Sequence, residues 1–174
     1  MSFYSSLTNA RTSINRAPAE GTFVVNSETP TYGDPIMRSS PTTAGQYFDA
    51  TNTTIQGVTV NTVYQYMDRI GTGGGSGATI TCRVNGTTIG TINPLAISDM
   101  GGSVMTFTGT STAVTPASAF HIDFVMSGYS GSPPSDYVRL GMTMTNAFST
   151  GYATQSGGDA GGGRDLCMSF DWTS

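Results

Sequence analysis

Charged side chains are scarce in this sequence. Only 10% of its 174 residues are charged, against about 25% in typical soluble domains. Lysine is absent, glutamate occurs twice, and the seven arginines are scattered singly. Binding to a phosphate backbone requires clustered basic residues, whereas this chain has a net charge of −4. The sequence therefore predicts that nucleic acid is not a partner.

Long apolar runs are also missing. Apolar stretches are short, as in Phe23-Val24-Val25, whereas a helix that crosses a membrane needs about 20 apolar residues. The N-terminal residues contain no apolar segment of the kind found in secretory signal peptides. We therefore expect no membrane partner and no Sec-type export.

Residue types that carry catalysis or bind metals are few. His121 is the single histidine, and its neighbour Asp123 shares a strand face with it, as in the orienting half of a catalytic triad. Neither a Gly-x-Ser-x-Gly elbow nor a reactive-cysteine motif accompanies the pair, so a hydrolase would depend on His121 alone. Most aspartates adjoin Gly, Pro or Ser, as turn residues do. We predict that the protein is not an enzyme, with no catalytic residues, no cofactor and no metal site.

Two cysteines occur, and their spacing favours buried thiols over a disulfide. Cys82 alternates with Ile80 and Val84, which predicts an inward side chain. Cys167 is expected on the strand face opposite Leu166 and Met168. Free buried thiols are the ordinary state of a protein made in a reducing compartment.

Residues 1–45 differ in composition from the rest of the chain. They contain both glutamates and four of the eight prolines, with little strict periodicity apart from one predicted strand, Thr22–Asn26. Several apolar side chains in this segment have no obvious local core, and such segments usually pack on another surface. The sequence predicts an extended N-terminal arm over residues 1–45 and a folded domain over residues 46–174.

From residue 46 onward, apolar and polar residues alternate with the period of β-strands. The Asn85-Gly86 pair joins two of these runs and is typical of a type I′ hairpin turn. Short strands without intervening helices predict an all-β fold, a jelly-roll-like antiparallel β-sandwich. The predicted strands are Gln46–Ala50, Thr54–Val60, Val63–Arg69, Ala78–Val84, Thr87–Ile92, Ser103–Thr108, Ala119–Met126, Tyr137–Thr145 and Asp165–Trp172.

Three tyrosines lie in or beside predicted loops, namely Tyr129, Tyr137 and Tyr152. Sugars stack on exposed aromatic rings beside amides and carboxylates, so these tyrosines are candidate glycan contacts. Alternatively, they cap the core or line a subunit interface, where tyrosine is enriched.

The C-terminal stretch Gly151–Gly158, GYATQSGG, leads to Asp165–Phe170, DLCMSF. It is similar to the closing strands of jelly-roll domains in phage and bacterial surface proteins. The whole chain, a proline-rich arm followed by a lysine-poor, Thr- and Gly-rich β domain, resembles the cement or decoration proteins of tailed-bacteriophage capsids.

This resemblance implies a structural virion protein at the capsid surface. It would bridge subunits of the major capsid protein, as a homotrimer whose repeated contacts add up. The alternative is a carbohydrate- or receptor-binding module of a phage fibre or surface protein. Under the decoration hypothesis, the arm residues that contact the capsid or a sister subunit are Phe3, Tyr4, Leu7, Arg11, Ile14, Arg16 and Phe23.

Overall fold

The structure is a computed structural model. It describes residues 20–25, 36–37, 43–51, 55, 57–71, 77–97, 102–114, 118–130, 135–143, 148–156, 158–159 and 163–174. Six predicted arm contacts lie outside the described residues: Phe3, Tyr4, Leu7, Arg11, Ile14 and Arg16.

β-strands dominate the described residues, with one short 3₁₀ helix, Pro94–Ala96. The strands are β1 (Glu20–Val24), β2 (Ile36–Met37), β3 (Thr43–Phe48), β4 (Thr59–Ile70), β5 (Thr79–Val84), β6 (Thr87–Ile92), β7 (Ser103–Ala113), β8 (Phe120–Ser127), β9 (Tyr137–Leu140), β10 (Met142–Thr143), β11 (Gly151–Gln155), β12 (Gly158–Asp159), β13 (Asp165–Leu166) and β14 (Met168–Thr173). Within the described ranges, no helix is both long and apolar enough to span a bilayer.

The strands form two six-stranded sheets and one small ladder. Sheet A has the order β1-β14-β4-β9-β2, with β7 also paired to β4, and sheet B has the order β12-β11-β3-β8-β5-β6. Strands β10 and β13 pair with each other. The strand pairs are antiparallel, and the chain crosses repeatedly from one sheet to the other, as in Greek-key and jelly-roll connections. The predicted all-β sandwich is confirmed.

The core lies between the sheets and is rich in phenylalanine. Phe48 and Phe120 of sheet B stack with ring centroids 4.3 Å apart, and Phe170 of sheet A meets Phe48 edge-on at 5.9 Å. The alternation of apolar residues in β8 correctly predicted its inward row, because these side chains are buried: Phe120, Ile122, Phe124 and Met126.

Strand β1 lies within the predicted arm, yet it pairs along its whole length with β14. Phe23 stacks on Phe170 at 5.3 Å and meets Phe148 edge-on at 5.5 Å. Its ring is therefore engaged inside this chain. Strand β3 also begins before residue 46, at Thr43.

The turn between β5 and β6 has the conformation that its Asn-Gly sequence predicted. Asn85 and Gly86 both have positive φ angles, of 48° and 82°, as a type I′ turn between β5 and β6 requires. Strand β4 is one strand of 12 residues where two were predicted. An irregularity in its pairing between Val60 and Thr62 lets it continue through Asn61.

Two glycines allow the sheets to approach each other at one side of the sandwich. A Cβ atom at Gly90, in β6, would lie 2.8 Å from the backbone nitrogen of Thr108, in β7. At Gly109, in β7, it would lie 2.4 Å from the carbonyl oxygen of Ile89. Because any side chain would collide with backbone, glycine is what permits this contact between β6 and β7.

Both cysteines are free and buried. Cys82 is inward as predicted, and burial raises the pKa of its thiol well above its usual range. Cys167 lies between β13 and β14, where the alternation is interrupted, and is buried together with Leu166 and Met168. Leu166 and Met168 belong to the core cluster and Cys167 does not, so the opposite face expected for Cys167 stays a prediction.

Candidate ligand-binding site

Three aromatic side chains form a row across the outer face of sheet B. Strand register places Tyr152 of β11 opposite Tyr47 of β3, and Tyr47 opposite His121 of β8. The ring centroids of Tyr47 and Tyr152 are 4.8 Å apart, and those of Tyr47 and His121 are 5.0 Å apart. Rings at these separations are in contact and pack as offset or tilted pairs. We call these three residues the aromatic row.

The row has two end rings, Tyr152 and His121, and each has one ring face that no member of the row covers. Tyr47 is the middle ring and has a neighbour on each side. Partial burial, then the charge of Asp49 and the proximity of Tyr152, raise the pKa of Tyr47. Its phenol therefore stays protonated at neutral pH and can both donate and accept a hydrogen bond.

A pocket of about 240 Å³ opens beside the Tyr152 end of the row. Its wall carries five hydroxyl side chains and one carboxylate. The lining residues are Tyr47, Asp49, Thr51, Ser149, Thr150, Gly151 and Tyr152. We call this feature the Asp49 pocket.

The carboxylate of Asp49 is held in position by the turn that follows β3. The backbone amide of Thr51 donates to Asp49 Oδ1 at 2.8 Å, as in an Asx turn. Hydrogen bonds from the amide and the hydroxyl of Thr51 lower the pKa of Asp49. The amide of Asp49 donates to the carbonyl oxygen of Thr150 at 2.7 Å, which joins the two walls of the pocket. The pocket thus contains a fixed, ionised acceptor.

A buried hydrogen-bond network anchors the wall formed by residues 148–151. Asp165 is fully buried; its Oδ2 accepts from the amide of Phe148 at 2.7 Å and its Oδ1 accepts from Gln46 Nε2 at 3.0 Å. Gln46 Oε1 in turn accepts from the amide of Leu166 at 3.0 Å. At Gly151, a Cβ atom would lie 2.2 Å from the carbonyl oxygen of Tyr47, so this wall packs directly on β3.

The three tyrosines predicted as glycan contacts do not lie together. Tyr129 is only 6% exposed and belongs to the core. Tyr137 lies in β9 of sheet A, where the Arg139 guanidinium is 5.9 Å from the centre of its ring. Tyr152 is in strand β11 rather than a loop, and it alone joins the aromatic row.

Tyr47 and Asp49 were missed as site residues. The available signal was the alternation of Tyr47 with inward Gln46 and Phe48, followed by an aspartate at the strand end. That signal predicts an outward aromatic ring near a carboxylate. It does not identify the distant segment, residues 149–152, that completes the pocket.

His121 and Asp123 share the outer face of sheet B, as their alternation with inward residues predicted. The ring of His121 contacts Tyr47, and Asp123 lies opposite Gly45 on β3 and Arg83 on β5. Burial raises the pKa of Asp123, while His121 and Arg83 partly offset that effect. Across the described ranges, no group of three or more His, Cys, Asp or Glu side chains is placed to hold a metal ion.

Comparisons of the sequence with protein-family models and with curated proteins give no match. The chemistry of the Asp49 pocket and the aromatic row is therefore the available evidence of function.

Proposed function

We propose that this chain is a carbohydrate-binding β-sandwich module that uses the Asp49 pocket and the adjoining ring of Tyr152. One observation carries the proposal: five hydroxyl side chains and a fixed carboxylate converge on a single pocket bordered by an aromatic row. Binding sites for small molecules combine an apolar surface with a few well-placed polar groups. A sugar matches both, since it offers hydroxyl groups at its rim and C–H groups on its ring faces.

Glycan-array binding followed by calorimetry tests the proposal. Tyr152→Ala removes a terminal ring of the row and one hydroxyl from the pocket. We expect roughly thirtyfold weaker binding, because an aromatic contact and a hydrogen bond each contribute about 1 kcal/mol, or about 2 kcal/mol together.

Tyr137→Ala is the matched control, because it removes a half-buried tyrosine from the other sheet. Its affinity should equal that of the unaltered protein. The proposal fails if the unaltered protein binds no glycan on a broad array, or if both variants lose affinity equally while circular dichroism shows both to be folded.

Capsid decoration is a second proposal, supported by the position of β1. This strand forms an edge of sheet A, so Glu20, where the described chain begins, lies at the rim of the sandwich, and Val24 on the same edge is 51% exposed. From a rim, a segment can reach a neighbouring subunit of the major capsid protein, and three copies acting together would strengthen weak contacts. The chain would then be a homotrimer on the virion surface, with glycan binding as its adhesive role.

Deleting residues 1–19 tests the decoration proposal while keeping every described strand, because β1 begins at Glu20. We expect capsid association to be lost and glycan binding to be kept. A variant with residues 1–19 in scrambled order is the control for length and composition. Capsid association that survives the deletion would count against the arm as the anchor, and light scattering would separately show whether the full chain has the mass of a trimer.

A further inference from the structure

We infer that the Asp49 pocket selects a terminal, uncharged sugar ring and rejects acidic saccharides. This inference rests on the proposed carbohydrate-binding function and names the ligand class for the same site. It follows from the charge, the rigidity and the size of the pocket.

The charge of the pocket is wholly negative. Among the described residues, Asp49 is the single charged residue of the lining, and the lining contains no arginine or histidine. A ligand carboxylate or sulfate in this space would face Asp49 without a counter-charge from the described lining, and like charges at close range repel each other. A neutral sugar hydroxyl, in contrast, can donate to the Asp49 carboxylate in a charge-assisted hydrogen bond.

Among the described residues, His121 and Arg83 lie on this face on strands beyond β3, and Arg164 lies beside β11, where its carbonyl oxygen accepts from the amide of Ala153. His121 contacts Tyr47 from β8, so Tyr47 stands between it and Tyr152. Arg83 is one strand further, on β5, where it pairs with Asp123. None of these side chains lines the pocket, and the pKa of Asp49 is lowered by hydrogen bonds from Thr51 rather than by a neighbouring cation.

Asp49 has little freedom to turn away from an acidic ligand. The amide of Thr51 holds its Oδ1 at 2.8 Å, and the amide of Asp49 itself is bound to Thr150. An ionised carboxylate has about four acceptor positions, so hydrogen bonds from Thr51 leave capacity for ligand hydroxyls. The group is thus a fixed acceptor rather than an adaptable one.

The size of the pocket indicates which part of a saccharide it admits. Its volume of about 240 Å³ is below the lower limit of about 300 Å³ for sites that take drug-sized molecules. One sugar ring is a suitable occupant, with the rest of the chain outside. We therefore assign the pocket to the terminal residue of a neutral glycan.

Matched saccharide pairs test the inference. Each pair would consist of a neutral hexoside and its uronide, which differ only in carrying CH₂OH or a carboxylate at the same ring carbon. We expect the unaltered protein to bind the hexoside at least tenfold more tightly in calorimetry. In Asp49→Asn this preference should shrink to less than threefold, because the amide can donate to the uronide carboxylate while its oxygen still accepts from Thr51.

Glu20→Gln is the control variant, because it removes one negative charge from an exposed position on sheet A. Its preference should equal that of the unaltered protein. A uronide bound as tightly as its hexoside, or a preference unchanged in Asp49→Asn, overturns the inference and leaves the proposed function standing. Absence of binding to every saccharide on a broad glycan array overturns the proposed function as well.

Discussion

Asp123 is a carboxylate whose position on a sheet face carries an energetic cost. A Cβ atom at Gly45 would lie 2.6 Å from Asp123 Oδ1, so the carboxylate fills the space above the glycine. Burial there raises its pKa above the ordinary value. The folded protein therefore holds this proton more tightly than the unfolded chain does. Consequently, stability is greatest when Asp123 is protonated and decreases as the pH rises through the raised pKa.

Asp123→Asn should stabilise the protein at pH 7, because an amide of nearly the same shape avoids burying a charge. We expect a gain of less than about 1 kcal/mol, since solvent still reaches the side chain and reduces the effect. Near pH 3 the gain should shrink, because the native carboxyl is then protonated. Urea denaturation at the two pH values measures this difference, and a variant that is less stable at pH 7 would contradict the explanation.

At the scale of elements, the contact between β6 and β7 depends on Gly90 and Gly109. Gly109→Ala should destabilise the protein by about 1–3 kcal/mol, because the new methyl group would press on the Ile89 carbonyl and force backbone to move. Gly77→Ala is the matched control, since a Cβ atom there meets nothing within 4 Å. It should be neutral or slightly stabilising. Thermal or denaturant unfolding of both variants measures the difference in stability. Equal stabilities would show that the contact between β6 and β7 tolerates a side chain.

Strands with local signals were predicted, and strands held by distant contacts were not. The β5–β6 hairpin and the inward row of β8 follow from turn chemistry and alternation. Strand β11 was not predicted because Gly151–Gln155 is mostly small or polar, with Ala153 as its buried apolar residue. Its conformation comes from pairing with β3 and from the wall anchored by Asp165.

At the scale of the whole molecule, the candidate site joins two segments about 100 residues apart. Asp49 and Thr51 follow β3, whereas Ser149–Tyr152 precede or begin β11. Alternation within a strand indicates which side chains face outward, but it can be applied to Tyr47 and Tyr152 only after the two strands have been located. The register that places them side by side is a tertiary property, so single-sequence reasoning named one of the two tyrosines and missed the other.

The core also connects the ends of the described chain. Phe23 from β1 packs with Phe48, Phe148 and Phe170. The four rings come from four separate parts of the sequence. Proline content and glutamates distinguished residues 1–45 by composition. They did not indicate that Phe23 contributes a ring to the sandwich interior, because that depends on β14 as its partner strand.

The position of β14 between β1 and β4 sets the order in which a nascent chain can fold. The neighbouring strands β3, β8, β5 and β6 of sheet B all end by Ser127, so they can pair before β14 has been synthesised. Strand β1 has to wait for β14, more than 140 positions later, and such distant pairings form slowly. During that interval the rings of Phe23 and Phe48 lack their Phe170 partner, and the half-built sandwich is the species most exposed to aggregation or to capture by a chaperone.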